Sequence, residues 1–221
     1  MVDDFKGRGG SPWGSPPGGG NGSGRGPTPP DIDEIIKNIQ KTINRFMPGR
    51  GAGGSKPIFL GLIILVNKYS KTKDKKTKNQ LYKIYISSFK YINGWDLVDV
   101  TCPHVTGKHL IDKDRSILYK WAKSDDLWTK RIAMVSTFSF IRQNDLEDTF
   151  KIAEILLQDK HDLIHKAVGW MLREAGKRDL EKEEIFLKKY YRDMPRTMLR
   201  YAIEKFPESK RQAYLKGTIL E

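Results

Sequence analysis

From Lys75 onward, apolar side chains recur every three or four residues, the period of a helix with one buried face. Pro195 stands at a first helical position and Pro207 at a helix stop. No alternation typical of strands appears. The pattern predicts an all-α fold of stacked helical pairs, as in α-solenoids. The stripes are Leu81, Ile84, Tyr85, Ser88 and Phe89; Leu127, Trp128, Ile132, Val135 and Phe138; Phe150, Ile152, Ala153, Ile155 and Leu156; Leu163, Ala167, Val168 and Met171; Ile185, Phe186 and Tyr190; and Met198, Leu199, Ala202 and Phe206.

An uninterrupted apolar run, Pro57 to Val66, precedes these stripes. A membrane-spanning helix needs about 20 apolar residues, so this run is too short to cross a bilayer. The polar sequence NKYSKTKDKK follows it, and no signal-peptide cleavage site accompanies it. We therefore expect a buried core helix that continues to about Tyr69, and we expect no membrane association.

The first quarter of the chain has a different composition. Residues 1–61 hold 15 of the 20 glycines and 8 of the 11 prolines, which predicts a disordered Gly/Pro-rich N-terminus. Within it, residues 32–47 are predicted to form one short amphipathic helix, which could dock on a partner, lie on a membrane or cover the next domain. The chain is thus divided into a disordered or linker region, 1–56, and a helical domain, 57–221. The apolar stripe of the short helix is Ile32, Ile35, Ile36, Ile39, Ile43 and Phe46.

The charge of the chain is strongly positive, at +13. Asn67 to Glu221 holds 32 Lys and Arg against 22 Asp and Glu, so this part alone carries +10. The excess fits a polyanion such as nucleic acid or an anionic membrane, although many basic proteins bind nothing specific. The lone Cys102 can be a buried thiol or a nucleophile, and its lack of a partner favours a reducing cytoplasm. His161 and His165 lack further metal ligands, so no metal is expected.

Four phrases place the helical domain beside known proteins: INGWDLVD, LWTKRIAMVSTFSFIR, LLQDKHDLIHKAVGWMLREAGKRD and MPRTMLRYAIEKF. With the ILVNKY run they resemble the AlkD-like DNA alkylation-repair glycosylases from about Leu62 to the end of the chain. The resemblance implies HEAT-like α-α superhelical repeats. It also implies hydrolysis of the N-glycosidic bond of cationic N3- or N7-alkylated purines in duplex DNA, without metal or cofactor. We expect a monomer that binds alkylated double-stranded DNA.

The resemblance also assigns roles to individual residues. Trp95 and Asp99 in WDLVD match the family's aromatic residue and its catalytic carboxylate. Trp170 in GWMLRE matches the second aromatic residue, and Arg131 in TKRIA matches the arginine that meets the DNA backbone. Other basic residues that could hold phosphates are Lys130, Lys166, Arg173 and Arg200.

The chemistry of these residue types agrees with that assignment. Trp95 and Asp99 are four residues apart and share one face of a helix. An alkylated purine already carries positive charge and leaves as a neutral base, so positive charge develops on the deoxyribose. A nearby carboxylate stabilises that charge, and aromatic faces favour cations. Taken singly, the tryptophans could be core residues, Asp96 or Asp99 could cap a helix near Gly94, and Arg131 could be a surface charge.

The beginning of the chain resembles a different family. GSPWGSPPGGGNGSGRGPTPPDIDEIIKNIQ and SKPIFLGLIILV are similar to the N-terminus of HflK, a membrane protease regulator of the stomatin/prohibitin class. The two resemblances meet at Leu62–Val66, so we expect a fusion in which the repair domain lacks its first repeats and has impaired activity. The alternatives are a non-catalytic DNA-binding helical-repeat protein and a membrane-associated fragment of the HflK type.

Overall fold

The computed structural model describes residues 56–219, and every regular element in that range is helical. The prediction of an all-α fold is therefore confirmed. The prediction for residues 1–56, including the short helix over 32–47, lies outside the described residues except at Lys56. The α-helices are α1 (Lys56–Lys71), α2 (Lys75–Ser87), α3 (Trp95–Thr101), α4 (Lys108–Leu110), α5 (Ser116–Ala122), α6 (Leu127–Ser136), α7 (Phe138–Ile141), α8 (Glu147–Leu156), α9 (Asp162–Gly176), α10 (Leu180–Tyr190), α11 (Arg196–Ala202) and α12 (Glu208–Lys216).

Short segments of other helix types connect some of these elements. Residues Phe89–Tyr91 and Ile203–Lys205 form 3-10 turns, and Pro103–Gly107 form a π-helical turn between α3 and α4. Gly107 lies against the next helix, because a Cβ added there would fall 2.5 Å from the backbone oxygen of Ser136. The π turn thus continues α3 and brings its end into close contact with α6 and α7.

Helix α1 contains the apolar run that precedes the stripes. Leu62, Leu65 and Tyr69 are buried on one side, whereas Leu60 and Ile64 are 42% and 58% exposed. The predicted core helix is therefore confirmed. Within residues 56–219, no helix combines the length and the apolar character that crossing a membrane requires.

Helices α3, α6, α9 and α11 form a row in which each packs against the next. The last contact in the row is especially close, because a Cβ added at Gly169 would fall 2.4 Å from the backbone oxygen of Met198. Helices α5 and α8 precede α6 and α9 and pack against them as pairs. This row carries all the predicted site residues, while the assignment of the pairs to HEAT-like repeats stays a prediction.

Most members of the apolar stripes form one buried core. Two members are exposed, Ile84 at 53% and Ile185 at 62%, so the stripe prediction is wrong at these two positions. Pro195 directly precedes α11, and Pro207 follows the 3-10 turn that ends this helical segment. Helical spacing thus located the helices, but it could not tell which edge of a stripe stays in water.

Candidate functional site

Helix α3 presents Trp95 and Asp99 one turn apart. Gly94, in an extended conformation, precedes the helix, and Trp95 is its first residue. The Trp95 side chain is 48% exposed, whereas Asp99 is only 4% exposed. Asp99 lies in the helix interior, so the alternative that it caps this helix is wrong. Spacing alone puts both residues on one side, but it did not reveal that one is a surface residue and the other is buried.

Asp99 and Arg131 bind each other in a bidentate ion pair. Arg131 Nε donates to Asp99 Oδ1 at 2.9 Å, and Nη2 donates to Oδ2 at 2.7 Å. The two side chains are 6% and 5% exposed for the arginine and the aspartate, respectively. Arg131 Nη1 also donates to the backbone carbonyl of Leu163. This one guanidinium therefore joins α3, α6 and α9.

The electrostatics of the pair reflect its burial. Desolvation raises the pKa of the Asp99 carboxyl, while the charge and hydrogen bonds of Arg131 act in the opposite direction. The alternative that Arg131 is a surface charge is wrong, because only 5% of this residue is exposed. Both carboxylate oxygens already accept a hydrogen bond from Arg131. Asp99 is thus a carboxylate of low hydration whose nearest counter-charge is an arginine.

Trp170 lies deeper in the helix row than Trp95. It belongs to α9, is 4% exposed, and its ring centroid is 6.1 Å from that of Phe138. Helix α6 packs against both α3 and α9, the helices that carry the two tryptophans. The structure therefore places Trp95 at the surface and Trp170 in the core.

The basic residues predicted to hold phosphates differ in accessibility. Lys130 pairs with Asp159, and Lys166 pairs with Asp162 at 2.7 Å. Arg173 is 4% exposed and binds Glu204 and Glu174. Arg200 is exposed and makes no ion pair with another described residue. Lys166 and Arg200 are thus the members of this set that a ligand reaches most directly.

Sequence reasoning missed the acidic partners of these cations. The spacing of four residues between Asp162 and Lys166 on one helix is a readable signal for an ion pair. The Lys130–Asp159 contact joins residues 29 positions apart, and nothing in the local sequence indicates it. Hydrogen bonding by Lys166 and Thr197 lowers the pKa of Asp162, and this carboxylate thereby links α9 to α11.

The two histidines at helical spacing, His161 and His165, form hydrogen bonds with backbone groups. His161 Nδ1 accepts from the backbone N–H of Leu163 at 3.1 Å and caps α9. His165 Nε2 donates to the backbone carbonyl of Asp159 at 2.5 Å. Among the described residues, no group of three or more side chains is arranged to hold a metal ion. Cys102 is a buried free thiol.

Comparison with known proteins identifies the family. A family model described as DNA alkylation repair enzyme matches residues 58–206. The chain belongs to this family. A second model, described as bacterial membrane protein N terminal, matches residues 4–50. Both resemblances stated from the sequence are confirmed, and the family membership supports a function in DNA repair with DNA as the partner.

The chain is also similar to a solved structure. A predicted DNA alkylation repair enzyme from Enterococcus faecalis is 13% identical, with a TM-score of 0.44. The match covers 80% of this chain and 87% of the other. No curated protein matches the chain.

Proposed function

We propose that residues 57–221 form an alkylpurine DNA glycosylase, a monomer of the cytoplasm that hydrolyses the N-glycosidic bond of cationic N3- or N7-alkylated purines in duplex DNA. One observation carries this proposal beyond family membership. A buried carboxylate, Asp99, is held by an arginine one helical turn from the exposed ring of Trp95. An aromatic face favours the cationic alkylated base before it leaves, and a carboxylate stabilises the cation that develops on the sugar.

Hydrolysis of this glycosidic bond requires little from the protein apart from a correctly positioned negative charge. The alkylated base leaves as a neutral molecule, so no strong acid has to protonate it. As the glycosidic bond lengthens, positive charge develops on the deoxyribose, and the Asp99 carboxylate stabilises it and orients the attacking water. Low hydration around Asp99 strengthens that interaction relative to the same interaction in water. The Trp95 ring, at the surface, contacts the cationic base.

In this proposal Arg131 changes partner, because its bidentate contact neutralises the charge of the Asp99 carboxylate. A DNA phosphate offers the planar guanidinium a bidentate acceptor of the same kind as a carboxylate. When Arg131 turns to a phosphate, Asp99 loses its counter-charge at the moment that a cationic lesion arrives. In this proposal, DNA binding itself therefore makes the carboxylate available.

The test is the release of 7-methylguanine from methylated duplex DNA by the full chain and by Asp99→Asn. We expect the substitution to reduce release by about 10²-fold or more, the range found when one electrostatic stabiliser is removed. Thermal unfolding and binding to undamaged duplex serve as controls for folding. Absence of base release by the unsubstituted chain, or full activity of the variant, would contradict the proposal.

A non-catalytic DNA-binding domain is the second candidate, and the Asp99–Arg131 pair itself favours it. A bidentate pair of 5% and 6% exposed side chains can act as a purely structural link between helices. In that case the chain binds duplex DNA but releases no base. The same assay, run beside a binding measurement, separates the two candidates.

A further inference from the structure

A second cluster of polar and aromatic side chains comes from α1, α2, α4 and the turn after α4. His109 stacks on Tyr82, with ring centroids 3.8 Å apart and planes 14° apart. The His109 Nδ1 atom is 3.0 Å from Tyr69 Oη, and Nε2 is 2.8 Å from Lys113 Nζ. Lys113 Nζ also donates to Asn79 Oδ1 at 3.1 Å. This long side chain is therefore held in one position by two partners.

The imidazole in this cluster is neutral at physiological pH. Burial, followed by the charges of Lys113 and Lys78, lowers the pKa of His109 to about 4. A neutral ring has one N–H, so Nδ1–H donates to the Tyr69 oxygen and Nε2 accepts from the Lys113 ammonium. His109 thus orients Lys113 without adding a charge that would repel it.

Lysine side chains of α2 lie near Lys113. Lys75 and Lys78 are one helical turn apart on α2, and Lys78 Nζ lies 5.6 Å from the centre of the Tyr69 ring, whose hydroxyl bonds to His109. After burial, the charges of Lys75 and Lys78 lower the pKa of Lys113. None of the three lysines forms an ion pair with a carboxylate of residues 56–219. The cluster is therefore a concentration of positive charge without a counter-ion in this part of the chain.

Two neighbouring carboxylates are bonded elsewhere, and the exposed Asp112 forms no ion pair with these lysines. Asp74 accepts from the backbone N–H groups of Lys76 and Thr77 and caps α2. Asp114 accepts from the backbone N–H and the hydroxyl of Ser116. These carboxylates accept hydrogen bonds from backbone N–H groups at the starts of helices and do not bind the lysines. A ligand with negative charge would meet the ammonium groups with little competition.

We propose that Lys75, Lys78 and Lys113 bind a phosphate group of the backbone of duplex DNA, at a contact separate from Asp99 and Arg131. Ammonium groups bind phosphates as compact point charges, and Lys113 keeps one N–H beyond those given to His109 and Asn79. This proposal rests on the proposed function in one respect: that function identifies the polyanion as duplex DNA. The contact anchors the duplex at the end of the domain where α1 joins α2.

The test is the salt dependence of binding to undamaged duplex DNA by the full chain. Each neutralised phosphate contributes about 0.9 to the slope of log K against log salt. The triple variant Lys75→Gln/Lys78→Gln/Lys113→Gln should lower the magnitude of that slope by about 1 and weaken binding at low salt. The triple arginine variant at these positions keeps the charge and should keep the slope.

A matched pair of single variants controls for the general loss of charge. Lys113→Gln and Lys188→Gln each remove one exposed lysine, but Lys188 lies on α10. Only the first should weaken binding measurably. Equal effects of the two, or an unchanged slope in the triple variant, would overturn the proposal. Base release plays no part in this readout, so a failure of the glycosylase assay leaves the result interpretable.

Inorganic phosphate serves as the probe for the alternative source of the ligand. Its titration is followed by the NMR signals of the His109 ring in the unsubstituted chain and in the triple glutamine variant. A shift lost in the variant, together with the changed DNA slope, supports the DNA contact. The same shift with an unchanged DNA slope would show a site for free phosphate and overturn the proposal.

Discussion

Two buried arginines in the helix row, Arg131 and Arg173, differ in how completely they are bonded. They are 5% and 4% exposed. Arg131 donates from three nitrogens, two to Asp99 and one to a backbone carbonyl. Arg173 uses Nη1 for Glu204 and Nη2 for Glu174, but its buried Nε has no hydrogen-bond partner among the described residues. The Arg131–Asp99 pair is thus fully hydrogen-bonded, whereas Arg173 belongs to a cluster in which, within residues 56–219, a buried polar atom lacks a partner.

The carboxylates around the two arginines differ in the same way. Glu183 faces Arg173 from α10, is 2% exposed, and its Oε1 has no hydrogen-bond partner in the described part of the chain. Burial and the charge of Glu184 raise the pKa of Glu183 to about 8, although Arg173 opposes them. A buried carboxylate without hydrogen bonds destabilises the fold. Arg131 therefore stabilises the charged form of Asp99, whereas Arg173 does not offset the cost of burying Glu183.

We expect the largest effect on stability from removing Arg131, the cation of the Arg131–Asp99 pair. Arg131→Met leaves Asp99 buried without a counter-charge, and we expect the free energy of unfolding to fall by about 3–5 kcal/mol. Urea unfolding of the full chain measures it. The double variant Arg131→Met/Asp99→Asn removes both charges and should recover a large part of the loss. A loss below about 1 kcal/mol in the single variant would show that water already reaches Asp99.

The helices that carry the two arginines could be predicted from the sequence, but the hydrogen bonds of the arginine side chains could not. Helical spacing located α6 and α9, and the family resemblance singled out Arg131 and Asp99. Nothing in the sequence indicated that these two would bind each other, because 32 positions separate them and the contact depends on how α3 packs against α6. Glu183 stands in the charged phrase LEKEE, where the local sequence gives no sign of burial. Its burial follows from the tertiary position of α10, which no local pattern encodes.

Neutralising Glu183 should have an intermediate effect, with the opposite sign. Its pKa is about 8 in the folded state and near its ordinary value in the unfolded chain. Between these values the unfolded state binds fewer protons, so stability falls as pH rises from about 4.5 to about 8. Glu183→Gln removes this loss. We expect little change at pH 4.5 and a gain of roughly 1–3 kcal/mol above pH 8.

Chemical unfolding at several pH values measures this difference. Glu181→Gln is the matched control, because Glu181 lies on the same helix and is exposed. The control should shift stability by less than about 0.5 kcal/mol at any pH. An equal gain from Glu183→Gln at every pH would mean that the carboxyl does not titrate in this window.

The smallest effect should come from the glycine that makes room for Glu183. A Cβ added at Gly176 would fall 1.6 Å from Glu183 Oε2, so Gly176→Ala must displace the carboxylate toward water. The pKa of Glu183 should then fall toward its ordinary value, and stability should depend less on pH between about 5 and 8. Alanine favours the helix by up to about 1 kcal/mol, which offsets the lost packing, so stability at pH 5 should change by less than about 1 kcal/mol. Unfolding at pH 5 and pH 8.5 tests both parts. If the pH dependence of the unsubstituted chain persists, the missing side chain at Gly176 is not what keeps Glu183 buried, and the uncompensated glutamate must instead follow from the packing of α10 on α9.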